Sequence, residues 1–215
     1  MARFIHDKNP VSTSLSATLK CLEKTPGICM FIDLVGSTAE KYESGIEVWG
    51  RKLNNTFNFI SFLNDFPDHI VKGIGDEIML FIPLDALKGK ETLNSCFALL
   101  EEVYATIDNI KNFPLPDLFM HCKVAMHYCT EVYNITFLEH YNDYFGIDID
   151  MTARLTRKAI SDRIVISEVF YQQVLKDIQQ KQSDFTPEVI AKISDKYIED
   201  FKGVPYPVEL RLIDV

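Results

Sequence analysis

Ile28-Cys-Met-Phe-Ile-Asp-Leu34, followed at once by Val35-Gly-Ser-Thr-Ala-Glu40, is the stretch from which the fold can be read. The first seven residues are apolar except for Asp33 and lie between Gly27 and Gly36, the pattern of a buried strand. Ser37 and Glu40 have the S-x-x-E spacing of a capping box, which predicts a helix start directly after the strand. Apolar residues at Ile46, Trp49, Leu53, Phe57 and Ile60 then recur at threes and fours, so the helix is expected to run to about Leu63 with one stripe against a core.

Working outward, His69 to Ile74 and Glu77 to Ile82 are two short apolar runs joined at Gly75-Asp76, a hairpin signal. Ala86 to Asn112 has helical periodicity, and Asn112-Phe-Pro-Leu-Pro116 stops it. His121 to Cys129 is a further strand. The order β-α-β-β-α-β predicts an α+β protein with a ferredoxin-like core: an antiparallel sheet carrying both long helices on one face. A C-terminal α/β extension follows, with a helix after Gly146, a strand over Arg163–Ile166, a helix from Glu168 to about Gln179, a charged linker and a last strand from Pro207 to Ile213. Residues 1–26 read as a loose lead-in with one short helix, and 27–215 as one domain.

The chain has 215 residues, 47% hydrophobic, which suffices for one substantial core. Its net charge of −9 comes without a basic stripe, which argues against a nucleic-acid polymer as partner but leaves nucleotides open. No apolar run approaches a membrane span of roughly 18 residues, and Met1 to Lys20 lacks the apolar centre of a secretory signal. Five cysteines without a zinc-type spacing read as reduced thiols, three of them inside apolar runs. A cytoplasmic protein is the expectation.

Asp33 is a carboxylate in an otherwise apolar strand end, and Asp76 sits at the hairpin tip. The predicted strand order pairs these segments. Two carboxylates at close range repel unless a divalent ion joins them, and hard oxygen ligands suit Mg²⁺ or Mn²⁺. The competing reading makes Asp33 a helix cap and Asp76 an ordinary turn residue; spacing alone leaves both open.

Six segments, in order, resemble the motifs of class III nucleotidyl cyclases over roughly residues 27–215. Phe31-Ile-Asp-Leu-Val-Gly-Ser-Thr38 looks like F-x-D-x-x-G-[FS]-T, and Val71-Lys-Gly-Ile-Gly-Asp76 like V-K-x-x-G-D. Val124-Ala-Met-His127 is similar to the G-I-H-T-G strand, with Ala125 and Cys129 in place of both glycines. Asp143-Tyr-Phe-Gly-Ile-Asp-Ile-Asp-Met-Thr-Ala-Arg-Leu155 resembles D-x-[FWY]-G-x-x-V-N-x-x-x-R-L. Arg163-Ile-Val-Ile-Ser167 and Phe201-Lys-Gly-Val204 resemble the late strand and its K-G turn.

The resemblance implies conversion of a nucleoside triphosphate to a 3′,5′-cyclic monophosphate and pyrophosphate. Asp33 and Asp76, with the Leu34 carbonyl, would hold two divalent metal ions. Backbone N–H groups of Val35, Gly36, Ser37 and Thr38, together with Lys202, would bind phosphates, and Arg154 would stabilise transition-state charge. The family's ribose-positioning Asn is Asp150 here, an acceptor only when ionised, and Asp150 and Arg154 are spaced to pair on one helix face. Lys72 and Asp143 occupy the base-reading positions of adenine-specific relatives. In length and in its Asp148–Leu155 stretch the chain is most similar to the bacterial Pycsar pyrimidine cyclases, which implies cUMP or cCMP made in anti-phage defence for a separate effector. Arg51, in Trp49-Gly-Arg-Lys52, is then the candidate base selector. Because the family builds its site between two domains, a homodimer with shared sites is implied. Alternatives are an adenylate cyclase, a non-catalytic regulatory domain of the same fold, and a palm-type polymerase or diguanylate cyclase, which would carry a GG[DE]EF-like turn.

Overall fold

The computed structural model describes residues 2–6, 13–62, 67–87, 95–181 and 188–215. In chain order the elements are β1 (Arg3–Phe4), α1 (Thr13–Lys20), β2 (Gly27–Leu34), α2 (Ser37–Phe62), β3 (Ile70–Ile74), β4 (Glu77–Pro83), α3 (Leu84–Leu87), α4 (Cys96–Lys111), β5 (Cys122–Cys129), β6 (Ile135–Thr136), α5 (Ile147–Leu155), β7 (Arg163–Ser167), α6 (Glu168–Lys181), α7 (Glu188–Ala191), β8 (Tyr197–Glu199) and β9 (Val208–Asp214).

Seven strands form one sheet in the order β3-β4-β2-β5-β7-β9-β8. The apolar run read first, β2, is central and antiparallel to both β4 and β5. The ferredoxin-like core is therefore present. The sheet is mixed rather than antiparallel throughout, because β7 enters parallel to β5. That pairing follows from a helical crossover: α5 carries the chain back so that β7 starts at the same end as β5.

Alternation along β2 divides the core. Ile28, Met30, Ile32 and Leu34 face the layer built from α2, α4 and α6, with Ile60, Leu99, Leu100, Val103 and Phe170 buried there. Cys29 and Phe31 face the other side, where Phe81, Tyr144 and Ile149 cover the sheet. Both long helices lie on one face, as the sequence pattern predicts, and α5 takes the opposite one.

Several expectations need correction. The helix predicted over 86–112 is two helices, α3 and α4, and residues 88–94 between them lie outside the described residues, as do Leu63 and the linker 182–187. The first long helix is broken at Gly45, whose φ of 78° and ψ of 167° are not helical. The Trp49 indole N–H reaches Ser37 Oγ at 2.8 Å, and Lys52 meets Glu40 at 2.9 Å. In a straight helix those partners, twelve residues apart, would be separated by about 18 Å; α2 is thus two segments folded against one another. No capping box forms, because the Ser37 hydroxyl serves Trp49 and the Glu40 carboxylate serves Lys52. Ile46, beside the break, is 68% exposed and leaves the predicted stripe, which begins at Trp49.

The lead-in is not loose where it is described: β1 pairs in parallel with β6, and Ala2 and Ile5 are buried. Among the five cysteines only Cys21 is exposed, and all are free thiols.

Candidate active site

The acidic candidates converge through strand pairing. Asp33 is the penultimate residue of β2, and its Cα partner on β4 is Glu77. The next backbone N–H, of Leu34, donates to the Asp76 carbonyl at 3.3 Å. The intervening turn is tight because Gly75 adopts a φ of +69°, where a Cβ would be strained. On the other side of β2, Lys123 of β5 is opposite Asp33 and its Nζ lies 2.8 Å from Asp33 Oδ2.

Three carboxyl groups and one ammonium therefore share the end of the central strands. Glu77 registers the excess of negative charge. Burial, then the charge of Asp33, pushes its carboxyl up to about 7; Lys123 opposes the rise and Asp76 adds to it. Neither Glu77 nor Lys123 was singled out from sequence. The signal that finds them is cross-strand register, since each is the residue directly opposite Asp33.

The start of α2 adjoins this cluster. The Val35 N–H is already donated to the His121 carbonyl at 2.9 Å, so it is not available to a phosphate as the family motif implied. Gly36, with a φ of +71°, is exposed, whereas the Ser37 side chain is buried.

The structure also joins Lys72 to Asp143. Lys72 Nζ lies 2.8 and 2.9 Å from the two Asp143 oxygens, and Asp143 Oδ1 additionally accepts the Tyr144 N–H at 2.8 Å. This links the edge strand β3 to the segment entering α5. Arg51 is exposed on α2, and no contact of it with this pair is present among the described residues.

A third group surrounds the C-terminal half of α5. Arg154 Nη1 donates to the Lys202 carbonyl at 2.5 Å. Gly203 follows at a φ of +83°, with the Arg154 guanidinium 3.6 Å from where a Cβ would stand. Asp150, Arg154, Gly203 and Tyr206 line a cavity of about 250 Å³. Asp150 is exposed, and among the described residues no ion pair joins it to Arg154; the guanidinium is held by the 202 carbonyl instead.

No protein-family model and no curated protein sequence matches the chain. Solved structures do. A guanylyl cyclase, Cya2, superposes with a TM-score of 0.69 at 14% identity, over 89% of this chain and 93% of that one. The adenylyl cyclase CyaB from P. aeruginosa gives 0.65 at 20% identity, over 90% and 95%. The guanylate cyclase domain of RhGC from Catenaria anguillulae, solved with GTP, gives 0.64 at 12% identity, over 90% and 98%. The βαββαβ core, the C-terminal extension and the mixed sheet of this chain are together the fold of the class III nucleotidyl cyclase catalytic domains.

Proposed function

We propose that the chain is a nucleotidyl cyclase that converts a nucleoside triphosphate to its 3′,5′-cyclic monophosphate with release of pyrophosphate. The observation that carries this reading is the meeting of Asp33 and Asp76 at the end of β2, with Glu77 and Lys123 beside them, in a cyclase fold.

The donor set suits hard divalent cations: burial first, and then the charges of Asp33 and Asp76, push the Glu77 carboxyl up to about 7, and two Mn²⁺ or Mg²⁺ ions on Asp33, Asp76 and the Leu34 carbonyl would relieve the like-charge part of that field. Bound there, the ions supply Lewis acidity toward the ribose 3′-hydroxyl and the triphosphate. The chain's own residues do the rest. The N–H groups of Gly36, Ser37 and Thr38 at the start of α2 meet phosphate oxygens. Lys123, opposite Asp33, adds a cation that turns from carboxylate to phosphate when substrate arrives, and Lys202 holds the terminal phosphates. Arg154, fixed by the Lys202 carbonyl, places its remaining N–H groups toward charge that grows at the α-phosphoryl group as the 3′-oxygen attacks and pyrophosphate leaves. Asp150, on the same cavity wall, accepts a ribose hydroxyl.

The substrate is read as UTP or CTP, with Arg51 donating to a pyrimidine carbonyl and the product serving a separate cyclic-nucleotide-sensing effector in anti-phage defence. One observation favours ATP instead: Lys72 and Asp143 are joined, as a purine-reading pair would be. The site is completed between two copies of the chain, the carboxylates of one facing Arg154 and Lys202 of the other. A cytoplasmic enzyme is consistent with the described residues, among which no helix is long and apolar enough to cross a membrane.

Incubating the purified chain with each of the four ribonucleoside triphosphates and Mn²⁺, and identifying the products, tests the base. Predominant cUMP or cCMP is expected; predominant cAMP would transfer the assignment to the adenylate reading.

A further inference from the structure

On the face of the sheet covered by α5, His127 and Cys129 of β5 point to the same side, and Asp148 of α5 descends onto them. One ligand-type atom from each of the three lies within 4.8 Å of the other two. His127 and Cys129 are buried, and the Asp148 side chain is 16% exposed. Cys129 stands where the resembling cyclase strand has a glycine, so the thiol is a feature of this chain beyond what the fold demands.

Hydrogen bonds orient two of these groups and leave one side of each open. His127 Nδ1 is 2.7 Å from Ser167 Oγ, which turns Nε2 toward Asp148. Asp148 Oδ2 accepts the N–H groups of Thr130 and Glu131 at 2.5 and 2.7 Å, which turns Oδ1 toward His127. The two inward atoms, Nε2 and Oδ1, are 3.4 Å apart, longer than an ordinary hydrogen bond of roughly 2.7–3.2 Å. Two ligands about 2.0–2.2 Å from a tetrahedral zinc ion are themselves about 3.4 Å apart. The Cys129 thiol lies 3.6 Å from the His127 carbonyl and also meets the Cys29 side chain. A cavity of about 430 Å³, lined by His127, Asp148, Ser167 and Tyr206, opens onto the cluster and offers both an entry path and room for a water as fourth ligand.

We propose that His127 Nε2, Cys129 Sγ and Asp148 Oδ1 form a site for one zinc-class ion, separate from the carboxylate site. A thiolate ligand selects a soft or borderline ion over Mg²⁺. On loading, the Cys129 thiol proton is released to solvent, and the neutral His127 imidazole keeps its proton on Nδ1, donated to Ser167. Zn²⁺ with one thiolate, one carboxylate and a neutral imidazole has no net charge, which a buried position requires. The partners at Ser167, Thr130 and Glu131 supply the outer hydrogen bonds that metal ligands need. The site is distant from the carboxylate cluster: Cys129 pairs with Gly27, six residues along β2 from Asp33, about 20 Å at the strand rise. An ion there would fasten α5, and with it Asp150 and Arg154, to the central strands.

The test is titration of the chelator-stripped full chain with Co²⁺ in excess Mg²⁺, which keeps the carboxylate site filled. One equivalent is expected to bind with tetrahedral visible bands and a near-ultraviolet thiolate-to-cobalt band, both erased by Zn²⁺. Cys129→Ser should lose the thiolate band, and Asp148→Asn should bind at least tenfold more weakly. Cys21→Ser, which removes the exposed thiol, and Asp33→Ala, which spoils only the carboxylate site, should give the same thiolate-to-cobalt band as the unaltered chain. A folded wild-type protein with no thiolate band, or a band that survives Cys129→Ser, overturns the proposal; the wild-type titration decides even where a variant fails to fold.

Discussion

The carboxylate end of the molecule and the Arg154 end are built by different means. Asp33, Asp76, Glu77 and Lys123 are placed by ladder hydrogen bonds between β2, β4 and β5, three neighbouring and largely buried strands of the sheet. Arg154 and Lys202 are placed by a short helix, a loop carbonyl and a glycine at positive φ. Backbone pairing fixes a side chain's position to within the pleat of the sheet, whereas a helix resting on a loop can shift with whatever packs against it. Under the proposed cyclase reading, the ion-holding task falls to the rigid end. The groups that this reading brings onto a substrate then belong to the adjustable end, where the proposed second copy of the chain would complete their placement.

The largest expected effect breaks the rigid end. Asp33→Asn or Asp76→Asn should reduce turnover by at least about 10³-fold, as loss of a principal electrostatic element does, and should also weaken Mn²⁺ binding measured by its paramagnetic resonance signal. Arg154→Ala should lower kcat by about 10²–10³-fold while leaving Mn²⁺ binding intact. Mixing Asp33→Asn with Arg154→Ala should restore part of the activity, because one of the two mixed sites retains both ends. Equal loss of ion binding in both variants would erase the distinction between the regions.

Much of the rigid end was legible in the sequence, and little of the adjustable end. Ile28–Leu34 and Glu77–Ile82 announce themselves because a strand buried on both faces must be apolar throughout. Asp33 stands out against that background. Glu77 and Lys123 stayed hidden because cross-strand register, not local pattern, places them. The fold-back at Gly45 had one local signal, a glycine inside a helical pattern, but the Trp49–Ser37 contact that explains it depends on tertiary structure. β1, β6 and β8 have two or three residues each, too few for any periodicity. The hold of the Lys202 carbonyl on Arg154 spans 48 residues and leaves no mark on the sequence.

Two smaller effects sharpen the comparison. Gly45→Ala places a Cβ at a φ of 78° and ψ of 167°, a region essentially confined to glycine, at a cost of about 1–3 kcal/mol, read as a lowered Tm. Trp49 is the single tryptophan, so its fluorescence should also report loosening of the fold-back beside the turn at Gly36. Farther away, Glu168 pairs with Arg211 at 2.7 Å. Burial pushes the Glu168 carboxyl up, but hydrogen bonds from Arg211 and Gln172 outweigh it and hold it below its ordinary 4.5. A depressed carboxyl stabilises the fold above its unfolded value, and the gain is lost as pH falls through the folded one. Glu168→Gln should therefore be less stable than wild type in denaturant at pH 7, and the gap should narrow below pH 4.5. Turnover at pH 7 should be unaffected.

The most direct test of the central claim is product analysis of the unaltered chain beside Asp76→Asn, each with Mn²⁺ and a mixture of all four nucleoside triphosphates. The account predicts a 3′,5′-cyclic nucleotide and an equal amount of pyrophosphate from the first and neither from the second. A folded wild-type protein that forms no cyclic product, or an Asp76→Asn variant that forms it undiminished, would contradict it.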